Sequence, residues 1–141
     1  MTATSGYSGT PQLQKLGIRP GATWDVDGAS PGWDFEAAPD PADRATHPHH
    51  ADVIVAFVRA AAEIEAVLER SEDRIFPAGA LWVAWPRKAA GHVSDVDENA
   101  IRDAALARRL VDVKVAAIDT DWSGLKLVWR KEHRTPAEPT A

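Results

Sequence analysis

The chain has 141 residues, 45% of them hydrophobic and 26% charged, with a net charge of −5; that length fits one domain able to bury a core without staples. The absence of cysteine excludes disulfide frameworks, zinc ribbons and thiol nucleophiles, and the acidic balance argues against a nucleic-acid partner, which calls for a basic excess to neutralise phosphate. No apolar run approaches the roughly 20 residues of a membrane span, and the polar opening residues carry no leader-like apolar region, so the expectation is a cytoplasmic protein with no membrane partner.

Residues 1–9 are small and polar and read as a flexible N-terminus. Thr10-Pro11 reads as a helix start, with Thr10 as N-cap and Pro11 at the first helical position; the helix runs to Leu16 and stops at Gly17. Residues 22–26 form a short strand. From 27 to 50 periodicity disappears in a stretch rich in Gly, Pro, Asp and Ala. A loop this long in a compact domain is either functional or mobile, and Trp33 and Phe35 are its natural anchors, with room for one short strand.

Regular structure returns with the β-branched run 52–58, which reads as a strand buried on both faces of a parallel sheet. An amphipathic helix follows over 60–74, with Ala60, Ile64, Val67 and Leu68 on one stripe. Residues 80–85 form a second buried strand stopped by Pro86. Ser94 or Asp95 caps the next helix, which carries Ala100, Ile101, Ala104 and Ala105 inward and runs to about Arg109. Asp95 and Glu98 have the spacing of a capping box. Val111, Val113, Val115 and Ala117 then alternate with Asp112, Lys114 and Ala116, and Leu125, Leu127 and Trp129 alternate after a polar turn. Two such runs make an antiparallel hairpin. Residues 132–141 read as a flexible tail, leaving 10–131 as a single α/β domain.

Alternation of strand and helix argues a parallel sheet with right-handed crossovers. This order, ending in a hairpin, is similar to the second half of the class I S-adenosylmethionine-dependent methyltransferase fold. The segments Leu16-Gly17-Ile18-Arg19-Pro20-Gly21 and Phe76-Pro77-Ala78-Gly79-Ala80-Leu81 resemble the L-x-P-G lead-ins of those enzymes. More closely, residues 6–134 resemble a bacterial family with a domain of unknown function. Gly6-Tyr7-Ser8-Gly9-Thr10-Pro11, Leu81-Trp82-Val83-Ala84-Trp85-Pro86-Arg87-Lys88, Val111-Asp112-Val113-Lys114-Val115 and Trp122-Ser123-Gly124-Leu125-Lys126 carry that likeness, which implies membership and no activity.

The methyltransferase resemblance implies a small Rossmann-like, mostly parallel sheet with a C-terminal antiparallel hairpin. It also implies that S-adenosylmethionine would meet the loop after the first strand, here Asp25-Val26-Asp27-Gly28-Ala29-Ser30-Pro31-Gly32. Asp25 and Gly28 match the glycine-rich motif in part, and Pro31 removes a backbone donor. The span 28–51 is too short for the helix–strand–helix–strand series that would bring an acidic residue to the ribose. The sheet therefore reads as trimmed of its adenosine half.

Asp25 and Asp27 flank a strand end and have the chemistry of an acid–base pair, although aspartate beside Gly28 more commonly caps a turn. His47-Pro48-His49-His50 lacks the cysteine or spaced carboxylate that would complete a metal shell and reads as a solvated loop. Tyr7, Ser8 and Thr10 could meet an anion ahead of the first helix, but capping is the simpler reading. Six tryptophans are many for this length. Trp82 and Trp85, three apart on a strand, face opposite sides, so one of them should reach the sheet's end or an interface.

The best candidate site is Trp85-Pro86-Arg87-Lys88, just beyond a buried strand's carboxyl end, where open α/β sheets bind ligands. Arg87 and Lys88 offer donors to phosphate or carboxylate; the competing reading is a basic pair that answers Asp95, Asp97 and Glu98. The first expectation is therefore a non-catalytic binding or regulatory module with no cofactor. It would recognise a small anionic ligand or a protein partner through Arg87, Lys88 and Trp85, with Asp25 and Gly28 as further contacts. The alternative is a divergent S-adenosylmethionine-dependent methyltransferase whose long loop rebuilds the cofactor site. A third reading is a dimeric structural subunit pairing through the last strand's edge, which Lys126, Arg130 and Lys131 would protect.

Overall fold

The computed structural model describes residues 10–134; Tyr7, Ser8 and most of the C-terminal tail lie outside the described residues. Strand β1 (Trp24–Asp27) ends the first segment, and the β-branched run becomes β2 (Val53–Phe57), every residue of which is buried. Such a strand needs neighbours on both edges and cover on both faces. It pairs in parallel with β1 and with β3 (Ala80–Pro86). The alternating C-terminal runs form β4 (Leu110–Ala117) and β5 (Trp122–Trp129), and β5 pairs antiparallel with both β3 and β4. The sheet order is β1-β2-β3-β5-β4, the mixed α/β, Rossmann-like arrangement read from the sequence.

Each sheet face carries its own apolar layer. On one, Ile54, Leu81, Val83, Leu125 and Leu127 pack under α2 (Ile64–Ser71) and α3 (Glu98–Leu106). On the other, Val55, Phe57, Trp82 and Ala84 meet α1 (Gln12–Leu16) and the long loop. Trp82 and Trp85 do take opposite faces, and both are buried; Trp85 lies at the carboxyl end of β3, the sheet's end rather than an exposed interface. The indole Nε1 of Trp82 donates to the Leu16 carbonyl (3.0 Å) and that of Trp129 to the Glu72 carbonyl (2.8 Å), which meets the requirement that a buried indole find an acceptor.

Several local expectations are corrected. Thr10 does not cap α1; Pro11 holds the N-cap position without a side-chain bond, and its carbonyl receives the Lys15 amide. Gly17 ends the helix in the left-handed region (φ 86°) as its lack of a Cβ allows. The helix expected over 60–74 is α-helical only from 64 to 71, flanked by 3-10 turns at Ala61–Glu63 and Asp73–Ile75. The second turn tightens the chain so that Arg74 and Ile75 enter the interior. Trp33 and Phe35 anchor the loop without forming a strand. Val113 and Val115 are half-exposed, because a bulge between Asp112 and Lys114 breaks the expected single valine face. The start of the tail forms a short helix, α4 (Lys131–Arg134). No helix among the described residues is long and apolar enough to cross a membrane.

Neither Ser94 nor Asp95 caps α3. Asp97, extended at φ −139°, accepts the Ala100 amide (2.9 Å). Ser94 donates to the Arg59 carbonyl, and Asp95 accepts the Ala61 amide, so both serve the neighbouring segment instead. Asp97→Ala should therefore lower stability by about 1 kcal/mol, the usual cost of a lost N-cap, without altering the sheet; urea unfolding with an unchanged slope checks it.

Glu72 is buried between Arg108 and Arg109, with contacts of 2.9 and 3.2 Å. Burial alone would raise its pKa, but the hydrogen bonds from Arg109 and Arg108 outweigh it and hold the carboxyl below its ordinary value. A depressed carboxylate contributes stability above the unfolded-state value, and that contribution is lost as pH falls through the folded-state one. Glu72→Gln should accordingly melt earlier than wild type at pH 7 and lose less further stability on acidification below pH 4.5. Melting temperatures across that range test the sign.

Candidate functional site

The parallel half of the sheet directs the carboxyl ends of β1, β2 and β3 to one rim, and the residues leaving them are Gly28, Val58-Arg59 and Arg87. Gly28 is required by geometry: its φ is 77°, and a Cβ there would lie 3.0 Å from the Phe57 carbonyl oxygen. Arg59 binds the rim together. Its guanidinium donates to the Gly28 carbonyl (3.0 Å) and the Ser30 hydroxyl (2.7 Å) and lies 5.3 Å from the centre of the Trp122 ring. Its amide donates to Glu63 (2.8 Å).

The loop after Gly28 wraps the outer edge of β1 and the α1 face. Arg44 forms a one-residue parallel bridge with Trp24; among the described residues no strand occupies that edge. Aromatic edges knit the loop to the sheet, with Trp33 contacting Phe35 and Phe57 at 5.0 and 4.9 Å between centroids, and Phe57 contacting Trp122 at 4.8 Å. The Trp33 indole donates to Asp119 (2.8 Å) in the β4–β5 turn.

Two of the cavities among the described residues meet at this loop's aromatic anchor. The first, of about 460 Å³, lies beside β1 and is lined in part by Gly28, Trp33, Asp34, Phe35 and Arg44. The second, of about 560 Å³, lies over the strand ends and is lined in part by Arg59, Pro86, His92, Asp121 and Trp122. Trp33 stands in the wall of both.

The candidate residues from the sequence are not gathered in one place. Gly28 lines the first cavity. Asp25 is buried behind it, with its carboxylate 3.0 Å from both Arg44 and Arg74; Asp27 pairs with Arg70 at 2.7 Å. Trp85 packs in the core on the α2–α3 face. Arg87 donates to the Asp119 and Thr120 carbonyls (3.5 and 3.0 Å), so it serves the hairpin turn rather than the acidic residues 95–98. The Lys88 carbonyl accepts the Gly91 amide (2.9 Å), while its exposed side chain makes no hydrogen bond or ion pair among the described residues. His50 meets Asp52 (3.2 Å), and no cluster of metal-ligating side chains occurs among the described residues.

Sequence reasoning missed Arg59, Asp34, His92 and Asp121. Arg59 had a usable signal, being the first charged residue after a fully apolar strand, as Arg87 nearly is for β3. The other three carry none, since their neighbours in space are distant in the chain.

No protein family and no curated protein matches the chain in sequence. Its fold is similar to that of a protein in the NADB-Rossmann superfamily from Streptococcus agalactiae, 13% identical with a TM-score of 0.51, covering 90% of this chain and 71% of that one. It is also similar to TnmH, 15% identical with a TM-score of 0.52, over 77% of this chain and 50% of that chain. The B. subtilis tRNA methyltransferase TrmK, 15% identical with a TM-score of 0.50, is matched over 84% of this chain and 65% of its own. The chain thus spans half of TnmH and just under two thirds of TrmK. At these identities the likeness is one of fold: a Rossmann-like, methyltransferase-like sheet.

The contacts of Arg87 and Lys88 separate their roles. Arg87→Ala should destabilise by about 1 kcal/mol, as a charged donor to backbone carbonyls is lost, while Lys88→Ala should stay within about 0.5 kcal/mol of wild type. Chemical denaturation of the two single variants checks this.

Proposed function

We propose that the chain is a divergent S-adenosylmethionine-binding domain of the methyltransferase type, in which the loop after β1 rebuilds the nucleoside pocket that missing strands would otherwise supply. The observation that carries this reading is the pair of cavities meeting at Trp33. Group transfer needs a donor and an acceptor held in adjoining hollows, and open α/β sheets bind ligands outside the carboxyl ends of their strands. The fold neighbours weigh toward this reading over the non-catalytic module that the sequence puts first.

The residues lining the first cavity fit the group. Trp33 and Phe35 offer aromatic surface to a purine. The exposed carboxylate of Asp34 suits ribose hydroxyls, in place of the acidic strand end that this sheet lacks. Gly28 lets the backbone come close, and Arg44, held through Nε by Asp25 and through one terminal nitrogen by the Val26 carbonyl, keeps its other terminal nitrogen for an amino-acid carboxylate. When bound, the cofactor supplies an electrophilic methyl group. The chain's own residues would bind it, orient it and exclude water.

A binding module without chemistry remains the second reading. It is favoured by the engagement of Asp25 with two arginines, which leaves that carboxylate unavailable as a base. Calorimetry with S-adenosylmethionine and its demethylated product tests both. Binding in the micromolar range, weakened about tenfold or more in Asp34→Ala and unchanged in Lys88→Ala, is the expected result. Silence of the wild-type protein toward both compounds would remove the cofactor reading.

A further inference from the structure

The second cavity carries a pair of side chains that no expectation from the sequence singled out. His92 Nε2 lies 3.0 Å from Asp121 Oδ1. The pair has a firm mount: the Asp121 carbonyl accepts the Arg87 amide (2.8 Å), its own amide donates to Asp119 (2.9 Å), and the His92 amide donates to the Arg87 carbonyl (3.3 Å). A carboxylate on Nε2 fixes the proton there and leaves Nδ1 as the acceptor of the neutral ring. Among the described residues Nδ1 has no partner.

The walls select the rest of the ligand. Pro31, Trp33, Pro86, Val93 and Trp122 present flat apolar surface. Val93, at the cavity's rim, is 97% exposed and so free to contact a ligand. Arg59 turns two of its donors to Gly28 and Ser30 and lies against Trp122. Asp121, half-exposed in the cavity wall, adds negative charge there, which disfavours anions. An acceptor nitrogen backed by a carboxylate, set in an aromatic slot, therefore favours a neutral hydrogen-bond donor on a planar ring.

We propose that this cavity binds a neutral aromatic compound bearing a phenolic hydroxyl, its ring against Trp122, Pro86 and Val93 and its hydroxyl donating to His92 Nδ1. Should the proton transfer, it passes from the hydroxyl oxygen to Nδ1, leaving a phenolate beside an imidazolium paired with Asp121. As the acceptor's place in a methyl transfer this rests on the reading given above; as a binding site it stands without it.

The test uses 1-naphthol, its methyl ether 1-methoxynaphthalene, and 1-naphthoate with the full chain and no cofactor, by calorimetry and by amide-shift mapping. Naphthol should bind about tenfold more tightly than the ether, the worth of one hydrogen bond, and shift the amides of His92, Val93 and Trp122. His92→Phe should erase the difference between naphthol and ether while keeping ring binding. Val93→Asp, on an exposed residue and so harmless to folding, should weaken both. Equal affinity for naphthol and ether, preference for naphthoate, or no binding at all would overturn the proposal. Failure here with S-adenosylmethionine still bound leaves the cofactor reading intact, and the converse holds as well.

Discussion

The buried ion pair between Arg74 and Asp25 is the contact on which the rest of the molecule depends. Their side chains approach to 3.0 Å and are almost wholly withdrawn from water. Two charges in such a place are tolerated only when their remaining donors and acceptors are met. Here Asp25 also takes the Val26 amide and Arg44 Nε, and Arg74 donates to the carbonyls of Ala45 and His49 at 2.7 Å each. The network joins the first strand, the far end of the long loop and the turn after α2. Loss of either partner would strand the other charge in the interior, at a cost of about 3–5 kcal/mol.

That network explains how a segment with no periodicity acquires a single path. Its far end is tied by Arg74, and the Trp24 carbonyl receives the Ala45 amide at 2.8 Å. Its middle is held by Glu36 donating its amide to Gln12 (2.9 Å), whose own amide group reaches the Ile118 carbonyl (2.8 Å). Its start is held by Arg59. Between these ties the aromatic side chains fill the space on the α1 face, and the path left over forms part of the wall of both cavities. The cavities are thus products of the loop's anchoring rather than of the sheet alone.

The open edge of β1 follows from the same economy. A methyltransferase-like sheet continues past its first strand; in the described residues the chain offers only the bridge at Arg44. A strand edge left bare invites other chains. The loop, with Pro39 and Pro41 among its residues and the Trp24 indole donating to the Asp40 carbonyl (2.9 Å), covers that edge with segments poor in free donors. On the far side, β4 carries a bulge at Val113, which interrupts regular pairing at the other edge.

Much of the architecture was legible in local pattern. The unbroken run Val53–Phe57 announced a strand covered on both faces, the alternation of Leu125, Leu127 and Trp129 announced a hairpin strand, and Gly17 announced a helix end, because each depends on residues within a few positions of itself. Caps were less legible: Ser94, Asp95 and Asp97 all have capping chemistry, and long-range partners at Arg59 and Ala61 drew off the first two. The candidate site was least legible. Arg59 meets Ser30 across 29 positions, His92 meets Asp121 across 29, and Arg70 meets Asp27 across 43. Sequence determines which side chains can do chemistry and which strands are buried; closure of the sheet decides which of them meet, since contacts that far apart exist only once the intervening chain has been folded and its entropy cost offset by the core.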